Sequence, residues 1–471
     1  MRGRAIRALM AVLPVIAGIV LVMSAAVAAA GPPAAPPNFD ASAWPGNQGE
    51  DAIVAANPTD PLNIVATSCD AGRVDLDGLF GAVSSNGGRT WARRLIATGA
   101  ALGHACDEDL VWDRYGNLWL VHLAANGTVA VQVSTDRGVH FTKVTDIVPT
   151  GAKGASAPTA VPSGHPDYLK HAADRPTVAV GPSSVWVEYT SVESARIQAS
   201  GAKVTGLGKF GSFSAPESVP TGAGRGGFPG TGGVAVGPRG QVLVTYQNFG
   251  GQCCSRLYTA LDPDGLGPRA FGHPRLLADT SVETGLRIPA QPDRGIGADP
   301  SLAWDWDGGP HSGRVYAVWT QRPKNTTDTT ILFLYSTNNG ATWSKPVQLG
   351  GDHMPCSQFV PALAVDQSTA DVAVSWYKSG DTRGIPNADT QIWATYSVDG
   401  GAAFAPDFRV SKGTSSATGA KNFFDYGDYS GAAFVSHLFY PGWADNSDST
   451  GTNPNGRMHQ LDLYTAQVRI P

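Results

Sequence analysis

Charge is scarce in this chain. Charged residues make up only 15 % of its 471 positions, and the formal balance is −5. No basic stripe interrupts it, which argues against a nucleic-acid partner. Cysteine is also sparse, at five. Neither CxxC nor HExxH spacing occurs, so a zinc centre has no ligand pattern to rest on. Helical periodicity is missing beyond the N-terminus, and so is a second long apolar run. What the chain has instead is glycine (57), proline (34) and tryptophan (12). That composition suits many short strands joined by turns.

The N-terminus reads as a targeting segment. Arg2, Arg4 and Arg7 precede an apolar run from Ala8 to Val27, and Ala28 and Ala30 form an A-x-A cleavage pattern. Residues 1–30 are therefore expected to be a signal peptide, with an uncleaved anchor as the alternative. Cleavage removes three arginines and no acid, taking the formal charge from −5 to −8. The expected product is secreted, monomeric and free of the membrane. Residues 31–45, opening "GPPAAPP", read as a stiff, disordered lead-in, and residues 46–471 as one domain.

A short phrase recurs four times: "SSNGGRTWA" from Ser84, "STDRGVHFT" from Ser134, "STNNGATWS" from Ser336 and "SVDGGAAFA" from Ser397. Each reads S-x-(D/N)-x-G-x-x-(W/F). A turn explains every fixed position. The Asp or Asn carboxyl or amide oxygen accepts turn N–H groups, Gly supplies positive φ, and Ser bonds locally. The aromatic packs down as the next strand begins. In this pattern the chain resembles the sialidase-like Asp-box (BNR-repeat) β-propellers. The resemblance implies an all-β fold with the boxes opposite the functional face.

The boxes sit inside a longer repeat. A first strand recurs as "EDAIVAAN", "DEDLVWD", "DRPTVAVG", "GTGGVAVG", "ADPSLAWD", "VPALAVD" and "GDYSGAAF", followed each time by a second strand such as "GNLWLVHLA" or "GRVYAVWTQ". Seven units with room for four strands each predict a seven-bladed propeller, with six blades as the alternative. The last unit lacks a strand, which the N-terminal end can supply to close the ring. Long connections fall on the face opposite the boxes, where function is usually carried.

All five cysteines map to that same face. Cys69 ends a second strand and Cys106 precedes the next first strand, so a Cys69–Cys106 bridge joins adjacent blades. Cys253 or Cys254 can pair with Cys356, leaving one odd thiol.

For chemistry, the resemblance implies an exo-sialidase site: three arginines on a substrate carboxylate, a Tyr nucleophile with a carboxylate base, and an Asp acid/base. Tyr429 is the candidate nucleophile and Glu188 its base, with Asp51 and Asp109 (beside Asp107) as candidate acids. Arg175, Arg294 and Tyr426 are candidates for substrate binding, with Arg256 a further one. The family's (F/Y)RIP motif is missing before the first box, where "NQGEDAIV" stands. A non-catalytic glycan- or protein-binding propeller is the rival reading. The structural reading of the acidic strand starts is that they bond to backbone N–H groups. No cofactor is implied. "CDEDLVWD" and "DLDG" (Asp75 to Gly78) offer oxygen ligands for a structural calcium, but neither completes an EF-hand loop.

Overall fold

The computed structural model describes residues 33, 35–44, 50–69, 79–96, 106–124, 127–150, 173–221, 228–249, 255–306, 308–324, 326–351, 356–380, 384, 386–420, 422 and 424–471. The described residues form seven blades in a ring, each a four-stranded antiparallel sheet, with further short strands at the edges and one short helix, Ala417–Ala420. The six-blade alternative is thereby set aside. Among the described residues no helix is long and apolar enough to cross a membrane. The candidate leader lies outside them.

In six blades the strands follow chain order from the axis outward. Blade 2 is representative. Asp109–Trp112 lies innermost, then Leu118–Leu123, Val129–Ser134 and Thr142–Ile147. Its register pairs Asp109 with Val121 and Leu118 with Ser134. The second strands are rich in β-branched and aromatic residues, which suit a pleated surface packed on both faces. Leu118–Leu123, Ser184–Ser191 and Val372–Ser379 are buried throughout. Trp119, Trp186, Trp319, Trp376 and Trp443 on these strands are fully buried.

Ring closure uses both ends of the described chain. In blade 7 the strands Ala432–Val435, Leu438–Asp445 and Asp462–Ala466 are completed on the outside by Asn38–Asp40. Asn38 pairs with Ala466 and Asp40 with Tyr464. The propeller thus takes in residues that composition alone assigns to the lead-in. Their strand character comes from the unpaired edge of Asp462–Ala466 rather than from local propensity. Ser42 Oγ then donates to Asp462 Oδ1 at 2.9 Å, and both residues are buried.

The four boxes fold alike. Gly88, Gly138, Gly340 and Gly401 N–H groups donate to Ser84, Ser134, Ser336 and Ser397 Oγ at 2.8–3.0 Å. The second half of the motif is shared as well: Thr90, His140, Thr342 and Ala403 N–H donate to Asn86, Asp136, Asn338 and Asp399 at 2.9 Å. These turns lie between third and fourth strands, on one face. Inner strands begin on the other.

That other face carries a second repeated geometry. Asp51, Asp107, Arg175, Thr231, Asp299 and Val360 each stand six residues before the residue that closes their inner-strand run: Asn57, Asp113, Gly181, Gly237, Asp305 and Asp366. Five of them have positive φ: Asp51 (56°), Asp107 (54°), Arg175 (46°), Asp299 (43°) and Val360 (51°). A non-Gly residue there costs about 1–3 kcal/mol. Register shifts between Glu50 and Ile53, Asp174 and Thr177, and Phe359 and Ala362 mark the same starts as bulges. Bulges re-aim side chains, and here they set the rim of the central channel.

Candidate functional site

The seven inner strands enclose a cavity of about 510 Å³. Its walls are apolar, with Ile53, Val111, Ala179, Ala303, Ala364 and Ala432 among them. At the strand-start end the lining changes to Asp109, Arg175, Asp299 and Tyr429.

Two ion pairs organise that end. Arg175 Nη1 donates to Asp299 Oδ1 at 2.8 Å, and Arg294 Nη2 lies 2.8 Å from Asp428 Oδ2. The side chains of Arg294 and Asp428 remain 19 % and 23 % exposed, so this pair faces solvent. Arg175 and Asp299 sit deeper, at 13 % and 9 %. The Arg175 guanidinium carbon stands 4.8 Å from the centre of the Tyr429 ring, a cation–π contact. Arg294 reaches the site from a hairpin, Leu286–Ile288 and Gln291–Ile296, between blades 4 and 5. Asp425 fixes that hairpin by accepting the Asp293 and Arg294 N–H groups at 2.9 and 3.0 Å.

The candidate acids are held by backbone. Asp109 accepts Leu110 N–H and Val178 N–H, both at 2.9 Å, which ties blade 2 to blade 3. Burial still pushes its carboxyl up to about 7. Asp107 accepts Arg175 N–H at 3.1 Å; burial and the neighbouring Asp428 raise it. For Asp299, burial outweighs the attraction of Arg175, so its carboxyl also rises. Asp428 behaves oppositely. Burial opposes its charge, but Arg294 and Arg175 together hold it below the usual carboxylate range. Asp51 is fully buried.

The two tyrosines part company. Tyr429 lines the cavity, and its hydroxyl donates to the Glu108 carbonyl at 3.3 Å. Burial, then the carboxylates of Asp51, Asp107, Glu108 and Asp428, keep its phenol protonated well above its ordinary range. Tyr426 is 1 % exposed and packs against Tyr377. Its hydroxyl accepts from Thr390 Oγ1 at 2.9 Å and meets Ser415 Oγ at 3.3 Å, so it belongs to the core.

Glu188 lies on the second strand of blade 3, paired in register with Thr177. It is fully buried, and neither carboxyl oxygen has a hydrogen-bond partner among the described residues. Burial raises its carboxyl strongly, opposed by Arg175. The acids whose charge bears on Tyr429 are Asp51, Asp107, Glu108 and Asp428. Glu188 bears on Arg175 instead. Arg256 is on the surface, 57 % exposed and 3.2 Å from Asp279.

Asp299 and Asp428, which complete both ion pairs, are not singled out by the sequence reading. A signal for Asp299 exists: it occupies the same register position as Asp51 and Asp107. Among the described residues no cluster of three His, Cys, Asp or Glu side chains is placed to hold a metal ion. The "DLDG" turn lies outside them, as do Cys253 and Cys254. Cys69 and Cys106 form a disulfide with a Cα–Cα distance of 5.2 Å, joining blade 1 to blade 2 on the charged face.

The BNR/Asp-box repeat family matches residues 334–345, the third box. No curated protein matches the sequence. Among solved structures, an α-L-arabinofuranosidase mutant of Fusarium graminearum shares 14 % identity over 76 % of this chain and 96 % of its own, with a TM-score of 0.47. An α-L-arabinanase of Penicillium chrysogenum shares 14 % over 74 % and 93 %, at 0.44. A Hadza microbial sialidase shares 11 % over 89 % and 65 %, at 0.43. With its four box turns and its ring of seven sheets, the chain is a seven-bladed β-propeller, and its third box matches the BNR/Asp-box repeat.

Proposed function

We propose that the charged mouth of the channel is a carbohydrate-binding site of an exported propeller. One observation carries this reading: the Arg175–Asp299 pair lines the strand-start end of the cavity, and beside it stands a second pair, Arg294–Asp428, whose arginine comes from the adjoining hairpin. A sugar ring offers vicinal hydroxyls that donate and accept together. Alternating guanidinium donors and carboxylate acceptors match that pattern. Preorganisation by bulged, positive-φ positions lowers the cost of ordering the site on binding. Calorimetric titration of residues 31–471 with a panel of oligosaccharides tests it. Binding that falls at least tenfold in Arg294→Ala, with an unchanged melting temperature, supports the reading. Binding indifferent to Arg294→Ala removes it.

Hydrolysis is the second reading, favoured by Asp109. It lines the cavity, and a carboxyl pushed up to about 7 still carries its proton where a general acid needs it. In this reading Asp109 protonates the leaving oxygen. Tyr429 attacks the anomeric carbon as the bond to the leaving oxygen breaks and passes its proton to Asp51, whose charge bears on it. Water, deprotonated by Asp109, then releases the sugar and the phenol takes back its proton. Tyr429→Phe and Asp109→Asn then each lower turnover of a fluorogenic glycoside by orders of magnitude. A Tyr429→Phe variant with full turnover ends the Tyr nucleophile.

A further inference from the structure

We infer that this site takes a glycan end without negative charge and discriminates against acidic sugars. The inference rests on the carbohydrate reading above and narrows it to a substrate class. Recognition of a sugar carboxylate needs guanidinium groups that can turn their donors to the ligand. Here both are already matched within the chain: Arg175 to Asp299 and Arg294 to Asp428, each at 2.8 Å. Asp428 acts on Arg175 as well. An incoming carboxylate would compete with these aspartates for guanidinium charge that they already neutralise. It would also approach Asp428, the carboxyl that Arg294 and Arg175 hold in its charged form, and Asp107, which faces the same two arginines. Like charges placed close together in a desolvated site oppose binding and set specificity by repulsion.

The buried surroundings point the same way. Glu188 is fully enclosed near Arg175, and neither of its oxygens has a hydrogen-bond partner among the described residues. The Asp299 oxygen not bonded to Arg175 is likewise buried without a partner. Arg175 Nε is buried without a partner too, so unmet acceptors and an unmet donor stand together there. A hydroxyl-rich, uncharged ring brings donors and adds no anion. Arg256, the remaining candidate arginine, is at the surface with its own acid, Asp279.

The experiment is a calorimetric titration of the mature chain with size-matched neutral, sialic-acid-terminated and uronic-acid-terminated oligosaccharides. The expected result is at least tenfold tighter binding of a neutral probe than of either acidic one. Asp428→Asn, which frees the Arg294 guanidinium, should narrow that ratio at least threefold. A melting curve establishes that this variant is folded. If an acidic probe binds the wild type as tightly as the neutral probes or more so, the inference is overturned while the carbohydrate reading survives. Binding of no glycan overturns both. A neutral preference that Asp428→Asn leaves untouched overturns the ion-pair cause.

Discussion

Replacing Gly138 by valine separates the two faces of the propeller. Gly138 is the glycine of the second box, at φ +86°, with its N–H donated to Ser134 Oγ at 3.0 Å. A β-branched residue at that φ costs on the order of 1–3 kcal/mol. Space adds to the strain. A Cβ built there lies 2.5 Å from Val65 Cγ2 and 3.5 Å from Leu118 Cδ2, and Val65 is fully buried. Overpacking of this kind costs about 1–3 kcal/mol more, giving about 2–6 kcal/mol in all. Gly340 supplies the internal control. Its φ is +75°, but its nearest neighbour is Leu243 Cδ2 at 3.2 Å, a contact that side-chain adjustment can relieve. Gly340→Val should therefore show the conformational cost of about 1–3 kcal/mol with little overlap. Urea unfolding followed by tryptophan fluorescence should rank wild type above Gly340→Val above Gly138→Val. Glycan affinity at the opposite face should stay unchanged in both. A Gly138→Val protein as stable as wild type would refute the packing argument. A box variant that melts normally but no longer binds would refute the separation of faces.

Other perturbations probe the ring and its charges. Removing residues 31–42 takes away the outermost strand of blade 7 and the Ser42–Asp462 bond, so the truncated chain should melt lower and self-associate, as read by light scattering. Cys69→Ser opens a loop of sequence separation 37 and should cost about 2–4 kcal/mol; non-reducing peptide mapping of the wild type should recover the Cys69–Cys106 crosslink. Asp462, pushed up to about 8 by burial and by Asp40 beside it, holds its proton more tightly folded than unfolded. Its stabilisation is complete below about pH 4 and is lost as pH rises towards 8, by about 1.4 kcal/mol per unit. Asp109 adds to the same trend up to about pH 7. Asp462→Asn should flatten the fall in urea midpoint between pH 5 and 8, and an unchanged slope would contradict the assignment.

Much of the scaffold is legible in the sequence because it is local. Each box is a turn whose hydrogen bonds join residues within four positions, such as Ser134 with Gly138. Blade period follows from recurring inner and second strands. The missing strand of the last unit follows from counting. The site is less legible because its bonds are not local. Arg175 finds Asp299 across 124 positions, and only ring closure brings them together. Tyr426 and Tyr429 are equivalent candidates by type and place, three positions apart. Positive φ at Asp425 (53°) and Gly427 (79°) turns the chain between hairpin and inner strand; Tyr426 packs in the core and Tyr429 lines the channel. Such turns follow from tertiary packing, which residue type does not encode. Arg294 stands within a connection read as a long loop, and its hairpin takes shape against Asp425, 131 positions away.

The central claim, that carbohydrate binds at the charged mouth of the channel, is tested most directly by a crystal structure of residues 31–471 with a neutral oligosaccharide that they bind in solution. The account places the sugar above the Arg175–Asp299 and Arg294–Asp428 pairs, with ring hydroxyls within hydrogen-bond distance of Arg294 and Asp428. Sugar density confined to the Asp-box face or the outer strands, with the channel mouth unchanged, would contradict it.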